Sequence, residues 1–208
     1  MIDETRALAA AHGLPLMWML DDGAQPPDLP ERLARRGIAA DERSPETIAL
    51  VLADPADLGG APGVVFRDAL SSLGLYATSH RVADLAFNGK PDPADCGDDE
   101  LYRERFENAR QVPGLRRLLG FFDGTPAACG SLRVKGAVAI MNGGAVVPEL
   151  RGRGIYRALV AERHRLALAA GAAGVVTHAG PLSLPILRHL GFQAVGRRRY
   201  FKDLGTAS

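Results

Sequence analysis

One stretch of this chain sets residues suited to chemistry at a spacing suited to it. Val147-Pro148-Glu149-Leu150-Arg151-Gly152-Arg153-Gly154-Ile155-Tyr156-Arg157 places two glycines and three arginines between an apolar segment and a long helix-forming one. The first N–H groups of a helix have no partner inside it and point outward, and the helix dipole adds partial positive charge there. Glycine lets the chain approach an anion closely and adopt conformations that other residues resist. Together these features form a cradle for a pyrophosphate, with Arg151, Arg153 and Arg157 adding positive charge around it. A turn that merely punctuates strand and helix would use the same glycines, so geometry alone leaves both readings open. Two other phosphate motifs do not fit. A dinucleotide fingerprint needs G-x-G-x-x-G near the first strand of a βαβ unit, and a P-loop needs Gly-Lys-Ser/Thr.

The elements that must position this loop follow from apolar patterning and turn residues. Residues 4–11 favour a helix ended by Gly13, and the apolar run at 14–20 predicts a buried strand. Residues 29–36 predict a helix with Asp28 as cap, Pro30 in its first turn and Gly37 after its end. A strand at 47–53 follows, and residues 54–62, with paired glycines and two prolines, read as a linker. The pattern then restarts with a strand at 64–66, a helical stretch at 69–88, a turn-rich segment at 89–97 and a helix at 98–110. Strands at 117–122 and 127–134 flank Asp123-Gly124-Thr125-Pro126, which is hairpin chemistry. A third strand covers 137–147, and the longest helix covers 153–170, with Ile155, Leu159, Leu166 and Ala170 near one face. A strand at 174–177, a short helix at 183–190 closed by Gly191, and two strands at 192–195 and 199–204 complete the chain. Hairpins followed by a strand–helix–strand unit predict an α/β protein with a mixed sheet.

Composition narrows the function. A net charge of +1 hides no basic half, so no nucleic-acid partner is expected. No apolar run is long enough to cross a bilayer, so no membrane partner is expected either. Met1-Ile2-Asp3-Glu4 does not open a signal peptide, and Cys96 and Cys129 are too few for a disulfide framework. A cytoplasmic protein with free thiols is the expectation.

At three places the sequence resembles the GNAT superfamily of N-acetyltransferases. Arg151-Gly152-Arg153-Gly154-Ile155-Tyr156 matches the R/Q-x-x-G-x-G/A acetyl-CoA signature except at its last position, where Tyr156 replaces a small residue. Leu187-Arg188-His189-Leu190-Gly191-Phe192 matches the Tyr-x-x-Leu-Gly-Phe ending, except that Leu187 stands where tyrosine is usual. Residues 119–130 resemble the hairpin that precedes the cofactor strand. The resemblance implies a GNAT domain over 62–204, preceded at 1–58 by a partial GNAT-like segment without a cofactor loop. That segment carries a faint echo of the region after Gly174, which any βαβ-like unit would also produce. The resemblance further implies acetyl-CoA as co-substrate, no metal, and an unidentified primary amine of a small molecule or peptide as acceptor. Ala145, Val146 and Val147 would offer backbone groups to the pantetheine arm. The loop from Arg151 through Gly152, Arg153, Gly154, Ile155 and Tyr156 to Arg157 would hold the pyrophosphate. A homodimer is compatible with all of this.

Acetyl transfer to an amine needs a neutral amine, removal of its proton and a stable leaving thiolate. A positioned acid or base contributes about 10²–10⁴-fold. Leu187 cannot donate a proton as the usual tyrosine would, so the work falls to other groups. His178 is the preferred base, against the alternative of a surface or structural histidine. Tyr156 and Tyr200 are candidate donors, Tyr200 being explained as well by packing on a sheet. Glu149 flanks the cradle, where a solvated glutamate is also common, and Asn142 either orients a water or sits at a bulge. Asp92, Asp95, Asp98, Asp99 and Glu100 form an acidic stretch suited to attracting a cationic acceptor, but Asp98 to Glu100 are better read as complementing a helix N-terminus. Arg197-Arg198-Arg199 reads either as a basic patch or as a strand edge guarded by charge. The alternative to an enzyme is an acyl-CoA-binding or protein-interaction module of the same fold, and a third reading is transfer of a longer acyl group.

Overall fold

A computed structural model describes residues 1–43, 46–53, 58–90 and 99–203. In chain order the first elements are α1 (Ile2–Ala11), β1 (Met17–Asp21), α2 (Leu29–Ala34), β2 (Ile38–Ala40), β3 (Glu46–Leu52) and β4 (Val64–Asp68). They are followed by α3 (Leu73–Asn88), α4 (Asp99–Arg110), β5 (Leu115–Phe122), β6 (Thr125–Lys135) and β7 (Val138–Val146). The last are α5 (Ile155–Ala169), β8 (Gly174–Ala179), α6 (Leu184–His189) and β9 (Gln193–Asp203). The fold is mixed α/β, as the patterning predicts. Contacts divide the chain into two compact units, Met1–Leu50 with His178–Ser208, and Val51–Thr177. The part of the expected linker at 54–57, and Asp92, Asp95, Cys96 and Asp98, lie outside the described residues.

In the first unit β9 carries both β1 and β2 as antiparallel partners, from Met17↔Lys202 to Asp21↔Arg198 and from Ile38↔Asp203 to Ala40↔Phe201. Ile2, Leu20, Leu29, Leu33, Ile38 and Phe201 form its core. The strand expected over 14–20 starts at Met17 and is not buried: Met17 and Met19 are exposed and only Leu20 is fully covered. The packed face of β1 is the one toward α1 and α2, and the alternating side chains of a strand leave its other face open. The two final strands expected at 192–195 and 199–204 are one continuous strand, β9. Of Arg197, Arg198 and Arg199, read as a basic patch or a charge-guarded strand edge, the first two lie in the ladder with carboxylate partners. Arg198 Nε lies 2.7 Å from Asp21 and Arg197 Nε lies 2.9 Å from Asp22. Arg6 reaches the buried Asp203 at 2.7 Å.

The second unit builds a sheet in the order β4-β5-β6-β7-β8. Neighbours from β4 to β7 run antiparallel, and β7 and β8 run parallel. The β5–β6 hairpin closes through Asp123 and Gly124 at φ of 47° and 81°, the two left-handed residues that a tight hairpin of this twist requires. Alternate side chains face opposite ways, so both faces of the sheet are covered. Leu119, Cys129, Ala145 and Val147 meet Val82 and Ala86 of α3, while Leu118, Ala128 and Val146 meet Ile155 and Leu159 of α5. α3 starts at Ser72, whose hydroxyl accepts from the Leu75 N–H, and ends at Gly89 in the left-handed region. Tyr102 and Phe106 of α4 pack on Tyr76 and Ala77 of α3. Among the described residues no helix is long and apolar enough to cross a membrane.

Leu33 is 0% exposed at the centre of the first unit's core. Leu33→Ala is expected to lower unfolding stability by about 2–5 kcal/mol in chemical denaturation, through lost transfer energy and the cavity left behind. A loss under about 1 kcal/mol would place that core outside the cooperative fold.

Candidate functional site

The loop between β7 and α5 is built from backbone. A single turn at Pro148–Leu150 leads into Arg151, then Gly152 at φ 76° and Gly154 at φ 77°, conformations that favour glycine. Gly154 caps α5 with no side-chain bond, and Ile155, 1% exposed, anchors the first turn in the core. Among the described residues no acceptor meets the backbone N–H groups of residues 152–157. These donors are clustered at the positive end of a helix dipole, which is the chemistry of an anion site.

The arginines expected to surround an anion are engaged on the flanks of the loop. Arg151 donates to Val146 O at 3.2 Å and to Ala86 O at 2.8 Å, tying the loop to the last turns of α3. Arg157 donates to Leu58 O at 2.6 Å. The Arg153 guanidinium lies 5.5 Å from the centroid of the Phe122 ring. Their charges remain near the cradle, but its donors are main-chain groups.

The strand that feeds the loop opens one edge. Gly143 and Gly144 of β7 stand opposite Gly130 of β6, a bulge with Gly143 at φ 57°. The parallel pairing of β7 with β8 ends at Met141↔Thr177, where the Thr177 hydroxyl donates to Met141 O at 2.9 Å. Beyond it the Val147 N–H donates to Ala127 O on β6, so the alternation of the ladder turns the Val146 N–H and C=O to the other side. The Val146 carbonyl takes Arg151, and its N–H has no acceptor among the described residues. Ala145, Val146 and Val147 are all buried, and of the three Val146 turns its backbone to this edge. Asn142, left open between orienting a water and sitting at a bulge, immediately precedes the bulge and is exposed.

The candidate acid–base groups are dispersed. Glu149 is exposed beside the cradle. Tyr156 is half-buried on α5, its phenol against the Arg163 guanidinium. His178 belongs to the other unit. Its imidazole is exposed, and its pKa is held below the usual value by partial burial and by Arg198, with Asp21 opposing. Tyr200 shares a 3.1 Å hydrogen bond with Thr47, a structural use. Leu187, 1% exposed, is a core residue of its unit. Cys129 is no nucleophile, since burial pushes its thiol up to about 11.

Sequence patterning missed Arg163. It is 2% exposed within the stripe of α5 formed by Ile155, Leu159 and Ala167. Burial lowers its pKa, while Tyr156 and Cys129 favour its charged form. The signal lay in the spacing: Arg163 stands four residues from Leu159 and eight from Ile155, on the buried face. Ala170, expected on that face, is exposed and lies beyond the end of the helix.

The fold as a whole also occurs in solved structures. A GCN5-related N-acetyltransferase from Kribbella flavida superposes with a TM-score of 0.71 at 19% identity, covering 98% of this chain and 74% of its own. This is the GNAT acetyltransferase fold. A tandem GNAT protein from the clavulanic acid biosynthesis pathway shares it with a TM-score of 0.67 at 20% identity, over 96% of this chain and 67% of that one. Glucosamine-6-phosphate N-acetyltransferase from Arabidopsis thaliana matches 62% of this chain and 91% of its own, with a TM-score of 0.52 at 15% identity. No family model matches the sequence, and no curated protein matches it.

In this GNAT fold His164, next to Arg163, lines a groove of about 500 Å³ between α5 and residues 58–66, away from the cradle. It is 4% exposed, its Nε2 has no partner among the described residues, and burial lowers its pKa from 6.5. Below the unfolded value the unfolded chain binds a proton that the folded chain excludes, so stability is lost as pH falls from 6.5 toward the folded value. The urea midpoint is therefore expected to drop between about pH 7.5 and 5.5, with a smaller slope in His164→Leu. Equal slopes would show that His164 does not titrate differently on folding.

Proposed function

We propose that the chain binds acetyl-CoA along residues 145–157 and transfers the acetyl group to a primary amine of a small molecule or peptide. The observation that carries this reading is the set of acceptor-free N–H groups at residues 152–157, a few residues beyond the open Val146 edge of β7. A pyrophosphate fits the first and an amide-bearing arm fits the second, by strand addition. The fold supports the same reading, since its neighbours include proteins described as N-acetyltransferases.

In the reaction the amine nitrogen attacks the thioester carbonyl carbon, the C–S bond breaks, the thiolate leaves and the nitrogen gives up a proton. A thiol of pKa near 8.5 leaves with little help from an acid, so Leu187 does not bar turnover. Holding amine and thioester together supplies much of the rate. His178 is the proposed base: its lowered pKa keeps it neutral at pH 7, ready to accept a proton. Tyr156 and Glu149 are the proposed alternates.

The buried Leu187 also supports a second reading, an acyl-CoA-binding or protein-interaction module without catalysis. The first ~55 residues are proposed to be a truncated GNAT copy. In support, the tandem protein matches 96% of this chain whereas the plant enzyme matches 62%.

Calorimetry with coenzyme A is expected to show one site per chain. Folded Gly152→Asp or Gly154→Pro variants are expected to lose at least about tenfold in affinity, or 1.4 kcal/mol. Unchanged affinity would remove the cradle from the account. Thiol release against an amine panel separates the two readings, because a binding module takes up acetyl-CoA without turnover.

His178→Ala is expected to lower kcat by about 10²-fold or more while leaving coenzyme affinity in place. In the parent protein kcat is expected to fall as pH drops through the histidine's pKa, below 6.5, and the variant should lack that limb. Identical profiles from pH 5.5 to 9 would make the histidine structural.

A further inference from the structure

Arg163 has three hydrogen bonds to main-chain carbonyls, a contact with the Tyr156 phenol and no carboxylate partner among the described residues. It donates to Leu159 O of its own helix at 3.3 Å, to Ser131 O of β6 at 3.4 Å and to Asn142 O of β7 at 3.4 Å. The guanidinium thus joins both strands where the bulge interrupts their register. Glycines make room for it. A Cβ on Gly144 would stand 2.6 Å from Nη2, and one on Gly130 would stand 3.1 Å from Nη1. Gly143 needs its own freedom at φ 57°, so all three glycines of the bulge answer to one constraint, the bend or the cation behind it.

Filling a hollow does not require a charge. A buried ion must be taken out of water, and an apolar side chain of similar size is often the more stable choice. Arginine keeps its proton in almost any surrounding. Its hydrogen bond to the Asn142 carbonyl polarises the Asn142–Gly143 peptide and strengthens its N–H as a donor. Fixed charge and oriented donors act most strongly on negative charge that develops during a reaction.

We infer that Arg163 is a positioning residue for acyl transfer: it holds the Gly143–Gly144 bulge and sets positive charge behind the β7 edge, where the thioester oxygen gains negative charge. This rests on the acyl-transfer reading above. Of the residues proposed to hold the coenzyme, Arg163 meets the Tyr156 side chain and not the loop backbone. It acts through the strand.

The test uses Arg163→Met, Arg163→Lys and Gly144→Ala in the full chain, with two readouts. The first is the amide spectrum without coenzyme. Gly143 and Gly144 amides are expected to shift and exchange faster in Arg163→Met and less so in Arg163→Lys, while those of residues 152–157 stay in place. The second is kinetics. Arg163→Met is expected to lose about 10²-fold in kcat, with coenzyme affinity within about threefold of the parent, and Arg163→Lys to recover part of the loss. Should Arg163→Met fail to fold, Gly144→Ala, which crowds the same guanidinium, is expected to give the same selective loss. Parent-like kcat in a folded Arg163→Met or Gly144→Ala protein, unmoved bulge amides, or equal losses of affinity and kcat would overturn the inference. A parent protein that binds no coenzyme would instead sink the proposed function, while the amide readout still decides whether Arg163 holds the bulge.

Discussion

A strand that leaves its neighbour must leave backbone groups unpaired, and this structure concentrates that consequence in one place. β7 pairs with β8 only as far as Met141↔Thr177, and the glycine bulge then bends it away. The open edge reaches Val146, a few residues before the loop at residues 152–157, whose N–H groups also lack acceptors. Main-chain donors left unpaired beside solvent are commonly met by water, turns or ligands. Here they fall at Val146 and at residues 152–157, on either side of the bonded N–H groups of Val147, Leu150 and Arg151.

The rest of the Val51–Thr177 unit holds these donors still. α3 and α5 cover the two faces of the sheet, so the side chains of Ala145, Val146 and Val147 are fixed while the Val146 N–H remains available. Arg151 pins the loop to the end of α3, and Arg157 pins the start of α5 to Leu58. Side chains that seem made for phosphate therefore serve as struts. An anion bound by backbone N–H groups depends on the conformation of the loop more than on any one side chain, which makes the glycines the sensitive positions.

The cradle was legible because its signal is local: glycines at a helix start, after an apolar strand, in a window of a few residues. The Asp123-Gly124 hairpin and the α3 boundary at Gly89 were legible for the same reason. What patterning missed is what distant partners decide. Three residues, Ile38–Ala40, are too short to show a period, and β9 fixes them as a strand. Arg197 and Arg198 read as a basic patch or a guarded strand edge, and their partners, Asp22 and Asp21, stand 175 or more positions away. Arg163 drew no reading from the sequence, and the glycine hollow at Gly130 and Gly144 takes it inside. The directions of Arg151 and Arg157 were equally invisible, since their acceptors are main-chain carbonyls at Ala86 and Leu58 that no residue type advertises.

The central claim is that main-chain donors, in two adjoining stretches, hold the two halves of coenzyme A. Amide chemical shifts during titration test it most directly, with the coenzyme presented in pieces. The account predicts that adenosine 3′,5′-diphosphate and coenzyme A both move residues 152–157, that pantetheine moves Val146 and its neighbours on β7, and that only the whole coenzyme moves both. Shifts confined to other surfaces, or a cradle that ignores the nucleotide half while the protein still binds the coenzyme, would contradict it.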